Sequence, residues 1–273
     1  MLRAAGVAGE TWAREALGDL RAEGYSRQAW GLFLRRSLER ADETRTARPD
    51  LVQQSRTWSA AGFAAVPLTR GVLPSAFPRP SLAPSLVWWA SVCAMVDWHL
   101  GMLETIDEAR RRHLAASDAL TLTRFWLVPL VASMQRHRGA FAILLAIGAA
   151  SDLLDGRLAA RAGSTRLGRD LDRTADISFF GAAALGARRS GWIDGRAALA
   201  VAFRYALPVA ATAAHYFTRA SRPPEPELDS RWTAPALVAG LAVAPRCPKL
   251  GSAVVTLSCA TWIAQSIRSV SSA

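Results

Sequence analysis

Between Asp152 and Asp176 the chain sets four aspartates and two glycines at fixed spacing, at the place where two apolar segments meet. The stretch reads Asp152-Leu153-Leu154-Asp155-Gly156-Arg157-Leu158-Ala159-Ala160-Arg161, followed by Gly168, Asp172 and Asp176. Carboxylates near a membrane core are costly and persist there when they are paired, metal-bound or functional. Any fold open to this chain must therefore bring them a counter-ion. Asp152 and Asp155 are three residues apart, and Asp172 and Asp176 are four apart. On helices both separations put side chains on one face, with Cβ atoms about 5–6 Å apart. Gly156, Gly163 and Gly168 lie between the two pairs and let the chain turn back, so two antiparallel helices can aim four carboxylates at one another.

Four anions share a small volume only when cations neutralise them. The ligands are all oxygen, with no histidine or cysteine nearby, which selects a hard ion: Mg²⁺, Mn²⁺ or Ca²⁺. The alternative is a solvated acidic loop with each aspartate paired to Arg157, Arg161, Arg166, Arg169 or Arg173. That alternative explains the charge and leaves the spacing unexplained. From this chain's own Asp and Gly frequencies, a chance match at six fixed positions has a probability on the order of one in 10⁵. Asp170 fits no position of the pattern and reads as a surface residue.

From residue 118 onward six apolar segments can be drawn, near 118–134, 139–158, 169–188, 196–217, 231–245 and 250–268. Several are shorter or more polar than the roughly 20 apolar residues of a perpendicular span. Their alanines and glycines suit close helix packing in a bundle, and they offer too little polar face for a water-soluble one. Apolar residues make up 51% of the chain, and its net charge is +11, carried by arginine with Lys249 the only lysine. Such an excess points to nucleic acid or an anionic membrane surface. The apolar segments favour the membrane, and no basic aromatic stripe or zinc-finger spacing argues for nucleic acid. Alternate connections collect eleven arginines on the side of the aspartates and seven cations on the other. The positive-inside rule then places the aspartates on the cytoplasmic side.

Residues 1–58 are polar and helix-compatible, with no visible signal peptide, which argues against export to an oxidising compartment. Trp30, Phe33, Leu34 and Leu38 recur at helical spacing, as in an amphipathic helix that lies on an anionic leaflet or packs on another helix. Residues 59–116 are partly apolar. The stretch 59–77 is interrupted by Pro67, Arg70 and Pro74, while 85–103 is a better membrane candidate until Asp97 and His99, which have no evident partner. Cys93, Cys247 and Cys259 are scattered and odd in number, and read as small buried hydrophobes rather than a disulfide framework or zinc site. The fold expected is all-α: a polytopic transmembrane bundle of about six helices over 117–270, with an additional helical N-terminal region.

The aspartate stretch resembles the signature of the CDP-alcohol phosphatidyltransferase family, Asp-x2-Asp-Gly-x2-Ala-Arg, seven or eight residues, then Gly-x3-Asp-x3-Asp. Asp152, Asp155, Gly156, Ala159, Gly168, Asp172 and Asp176 match. The family's Arg, associated with the donor's pyrophosphate, falls on Ala160, with Arg161 next door. Ala119 to Pro129 looks like the opening of the family's first transmembrane helix. Arg204 sits about where many members hold the acceptor's phosphate, and Arg231-Trp232-Thr233 resembles the start of a later helix.

The resemblance implies transfer of a substituted phosphate, such as a phosphatidyl group, from a CDP-alcohol such as CDP-diacylglycerol to a hydroxyl acceptor, releasing CMP in phospholipid biosynthesis. It implies two Mg²⁺ or Mn²⁺ ions held by Asp152, Asp155, Asp172 and Asp176, with Asp176 as the catalytic base. Gly156, Arg161, Gly168, Arg204 and Arg231 would line the substrate site, and two arginines there would favour a phosphorylated acceptor. His215, further along the helix of Arg204, reads as a satisfied buried or interfacial histidine. The expected location is a bacterial-type plasma membrane, with membrane lipids as surroundings and a homodimer left open. Two rivals remain: an inactive membrane relative whose metal serves structure or regulation, and an intramembrane prenyltransferase, whose aspartate clusters typically lie on widely separated loops.

Overall fold

The computed structural model describes residues 9–72, 79–105, 110–133, 137–219 and 232–271. Among the described residues no β-strand forms, and ten α-helices follow in order. The N-terminal region holds α1 (Gly9–Ala22), α2 (Arg27–Ala47), α3 (Pro49–Val72) and α4 (Leu82–His99). The six apolar segments become α5 (Ala116–Ala132), α6 (Arg138–Ala162), α7 (Arg166–Arg189), α8 (Gly195–Arg219), α9 (Thr233–Val243) and α10 (Pro248–Ser271). Three of these are long and apolar enough to cross a membrane: Arg138–Arg161 in α6, Gly195–Thr218 in α8 and Pro248–Arg268 in α10. The 11 residues of α9 reach about 16 Å, roughly half the hydrocarbon thickness.

The six-helix bundle closes on a core of Phe141, Leu145, Phe179, Ala183, Val201, Leu241 and Val255, among others. Small residues set the spacing. A Cβ on Gly251 would run into Ala244, bringing α10 against the end of α9, and one on Gly186 would lie 3.2 Å from the Val131 carbonyl of α5. Such close approach lets helix backbones associate where lipid offers no hydrophobic drive. Outward-facing Ile143, Ile147, Leu199, Phe203 and Leu257 leave apolar surface on the three candidate spans.

A second core joins α3 and α4 to α5 and α7 through Leu51, Trp89, Val96, Phe125, Leu167 and Leu171. Trp88 Nε1–H donates to the Phe125 carbonyl at 2.8 Å, and Trp89 Nε1–H to Ser59 at 2.9 Å. α3 runs unbroken across residue 58 and through Pro67, whose missing N–H costs one rung of the helix ladder. Asp97, left without a partner by the sequence, takes Arg45 of α2 at 3.0 Å. The apolar stripe of α2 is divided: Phe33 lies beside Trp12, and Trp30 beside Phe217 of α8, while Leu34 and Leu38 stay exposed.

Two contacts tie this region to the bundle's polar end. Tyr25 Oη donates to the Phe217 carbonyl, and Arg21 Nη1 to that of Thr218 at 2.7 Å, placing a cation at the carbonyl end of α8. Glu104, just after the short 3-10 turn Leu100–Met102, is buried and accepts from the Gly9 N–H at 2.9 Å and Arg166 Nη1 at 3.0 Å. Its backbone carbonyl also takes the Arg166 N–H at 2.9 Å. The first turn of α7, the helix carrying Asp172 and Asp176, is thereby fixed from outside the bundle.

Candidate active site

α6 and α7 both pack against α5 and are joined by the short link Gly163–Thr165. Gly163 adopts φ +81°, a conformation glycine reaches without strain. Thr165 caps α7, its Oγ1 accepting the Gly168 N–H at 3.0 Å. The tight return brings the i, i+3 pair of α6 opposite the i, i+4 pair of α7, and the four carboxylates meet. One oxygen from each of Asp152, Asp172 and Asp176 lies within 4.8 Å of the other two.

The group at the centre is Arg124, contributed by α5 and fully buried. Its Nη1 bonds Asp152 at 3.1 Å and also Asp176; its Nη2 bonds Asp155 and Asp172. Each nitrogen therefore bridges one carboxylate from α6 and one from α7, the cross-pairing an antiparallel turn produces. Thr121, one turn earlier on α5, donates to Asp155 at 3.0 Å. Arg124 Nε is buried with no hydrogen-bond partner. One guanidinium against four carboxylates leaves an excess of negative charge in a partly buried space. All-oxygen ligands of that charge suit a hard divalent cation, and the guanidinium already at their centre shows that the cage accepts positive charge.

The other expected residues fall into three groups. Gly156 faces open space, since a Cβ there would meet nothing within 4 Å. Gly168 is closed in instead: a Cβ would lie 3.0 Å from Thr165 Oγ1 and 3.1 Å from the buried Asp118, which itself accepts the Ala115 N–H at 2.7 Å. Packing of α5 against α7 accounts for that glycine. Arg161 is exposed, and its nine-residue separation from Asp152 turns it half-way round α6. The structure thus leaves it outside the carboxylate cluster.

Arg204, on α8, is 5% exposed. Its Nη2 lies 3.5 Å from Thr233 Oγ1 at the start of α9, and its carbon sits 5.0 Å from the Trp262 ring and 5.9 Å from that of Tyr205. Its Nη1 is buried without a partner. Tyr205 stacks on Phe180 and lies near both Asp176 and Arg204. Arg231 lies outside the described residues.

Arg124 escaped the sequence reading although Ala119–Pro129 was singled out. The signal was present: an ionisable residue inside an apolar helix is by default a functional candidate with a partner to find. The same signal that marks Arg204 in α8 marks Arg124 in α5.

Residues 112–266, more than half of the chain, match the model of one protein family, described as CDP-alcohol phosphatidyltransferase. No curated protein and no solved structure matches the chain.

Proposed function

The chain belongs to the CDP-alcohol phosphatidyltransferase family, and we propose that it moves a phosphatidyl group from CDP-diacylglycerol, or a like substituted phosphate from another CDP-alcohol, onto a hydroxyl acceptor with release of CMP. The family implies the transfer of a phosphate-linked group from a CDP-alcohol and the use of divalent metal. The observation that carries the finer reading is the convergence of Asp152, Asp155, Asp172 and Asp176 on one partly buried point, next to helices apolar enough to hold a lipid donor.

In this reading Asp152, Asp155 and Asp172 are the main ligands of Mg²⁺ or Mn²⁺, two ions in all, and Asp176 completes the set. Metal held by these carboxylates would supply charge neutralisation at the attacking and leaving oxygens of an in-line displacement. Asp176 accepts the proton of the acceptor hydroxyl as the new P–O bond forms and the bond to CMP breaks. The open space over Gly156 gives the donor its approach. Gly168, which the resemblance puts among the substrate contacts, acts through the close α5–α7 packing. Arg161 serves only a substrate group reaching the outer side of α6. Arg204, with an unpartnered buried nitrogen near Trp262, holds the acceptor's phosphate, assisted by Arg231. The arginine-rich links around the aspartates support a site on the cytoplasmic side of a bacterial-type plasma membrane.

Two observations favour a second reading. Ala160 stands where the family carries Arg, and Arg124 already contacts all four carboxylates, as in an inactive relative whose cluster serves structure or regulation. CMP release from CDP-diacylglycerol and Mg²⁺ with a panel of acceptors separates the two. The proposed function requires CMP release that depends on an acceptor and is fastest with phosphorylated ones, such as glycerol 3-phosphate or an inositol phosphate. Absence of CMP with every donor and acceptor supports the second.

A further inference from the structure

Arg124 is buried at the centre of the four carboxylates, with each terminal nitrogen bridging α6 to α7. A cation placed there by a third helix does two things at once. It removes the repulsion that would otherwise drive the four aspartates apart, and it occupies the oxygens a divalent ion needs. We propose that Arg124 is an exchangeable counter-ion: its guanidinium keeps the carboxylates assembled when no metal is bound and gives up part of them when metal enters. This rests on the reading of the cluster as a metal centre.

The geometry fits exchange better than a permanent ion pair. The guanidinium contacts an oxygen on each of the three carboxylates that approach one another closely enough for a shared ion, so a metal and the present guanidinium position compete. Mg²⁺ binds oxygen at about 2.0–2.1 Å and tolerates little distortion of its shell. A carboxylate held by guanidinium must turn or part from it to meet that demand. Arg124 Nε has no bond anchoring the base of the guanidinium, so loss of some terminal contacts leaves no further bond to break on that side. Thr121, which donates to Asp155 at 3.0 Å, retains one member of the cluster while the guanidinium moves.

Arg124 is on this account a positioning residue, and metal-linked stability distinguishes it from a structural one. Purified wild type, Arg124→Met and Arg124→Lys are unfolded thermally in EDTA and across a Mg²⁺ titration, with Mn²⁺ binding followed by electron paramagnetic resonance. Exchange predicts that Arg124→Met melts lower than wild type in EDTA, recovers most of the loss in saturating Mg²⁺, and binds Mn²⁺ at about tenfold lower concentration because the competing state is gone. Arg124→Lys, a point charge unable to bridge both pairs, should bind Mn²⁺ at a concentration below that of wild type. It gives the same reading if Arg124→Met does not fold. An equal loss of melting temperature with and without metal, or unchanged Mn²⁺ midpoints in whichever variant folds, overturns the exchange alone. No metal response in any of the proteins overturns the metal-centre reading, and the exchange with it.

Discussion

Arg204 and Asp176 both lie near Tyr205 but meet different partners, and that difference divides the chemistry between them. Asp176 belongs to the carboxylate cage; Arg204 presents a buried, unpartnered nitrogen to whatever enters beside Trp262. Replacing Arg204 with Ala should therefore raise KM for a phosphorylated acceptor, by about 10- to 200-fold for the loss of a charge-assisted contact of 1.5–3 kcal/mol. KM for the CDP-alcohol should stay near the wild-type value in the same steady-state assay, and an equal rise for both substrates would contradict the assignment. The aspartates and Arg204 were legible because charge is conspicuous in apolar sequence. Arg124 was harder to place, since its partners lie 28 to 52 residues away and only the folded α5–α6–α7 corner brings them together. Gly168 shows the opposite difficulty: its motif position suggests a substrate contact, while the space around it is filled by Thr165 and Asp118.

At the scale of elements, α7 carries half of the cage and is held at its first turn by Glu104. That carboxylate is buried, pairs with Arg166 and also receives the N–H that begins α1. Breaking a buried pair by removing one partner costs about 3 kcal/mol. Glu104→Ala should accordingly lower the denaturation midpoint by about that amount and loosen α1, read by faster amide exchange in α1 and in the first turn of α7. Unchanged exchange there would show that Glu104 does not hold the two together. The six helices of the bundle were legible because each coincides with an apolar segment, its ends differing by a few residues. The N-terminal helices were less so. Their contacts run through scattered aromatic residues such as Trp88, Trp89 and Phe217, and the helix through Pro67 defies the local signal because tertiary packing of Leu51, Val52 and Val66 supports it.

For the whole molecule, the alternation of helices sets the α6–α7 link and the α9–α10 link at opposite ends of the bundle. Cys247 lies in the latter and is exposed, whereas Cys259 is buried. With the aspartates facing the cytoplasm, a membrane-impermeant maleimide added to intact cells should label Cys247. A cysteine introduced at Ser164, with Cys247 replaced by Ser, should react only after the membrane is opened. The reverse pattern would invert the orientation. Orientation was readable only as a charge imbalance, because three of the six bundle helices fall short of an apolar span by length or composition.

In the proposed function the four carboxylates gathered by α6 and α7 bind divalent metal and drive transfer from a CDP-alcohol. Mg²⁺-dependent CMP release by wild type and Asp176→Asn, with Mn²⁺ binding measured on the same samples, tests it most directly. The account predicts turnover in wild type that vanishes in EDTA and returns with Mg²⁺, together with a loss of about 10²–10⁴-fold in Asp176→Asn while Mn²⁺ binding is partly retained. Undiminished CMP release in Asp176→Asn, or in wild type stripped of metal, would contradict it.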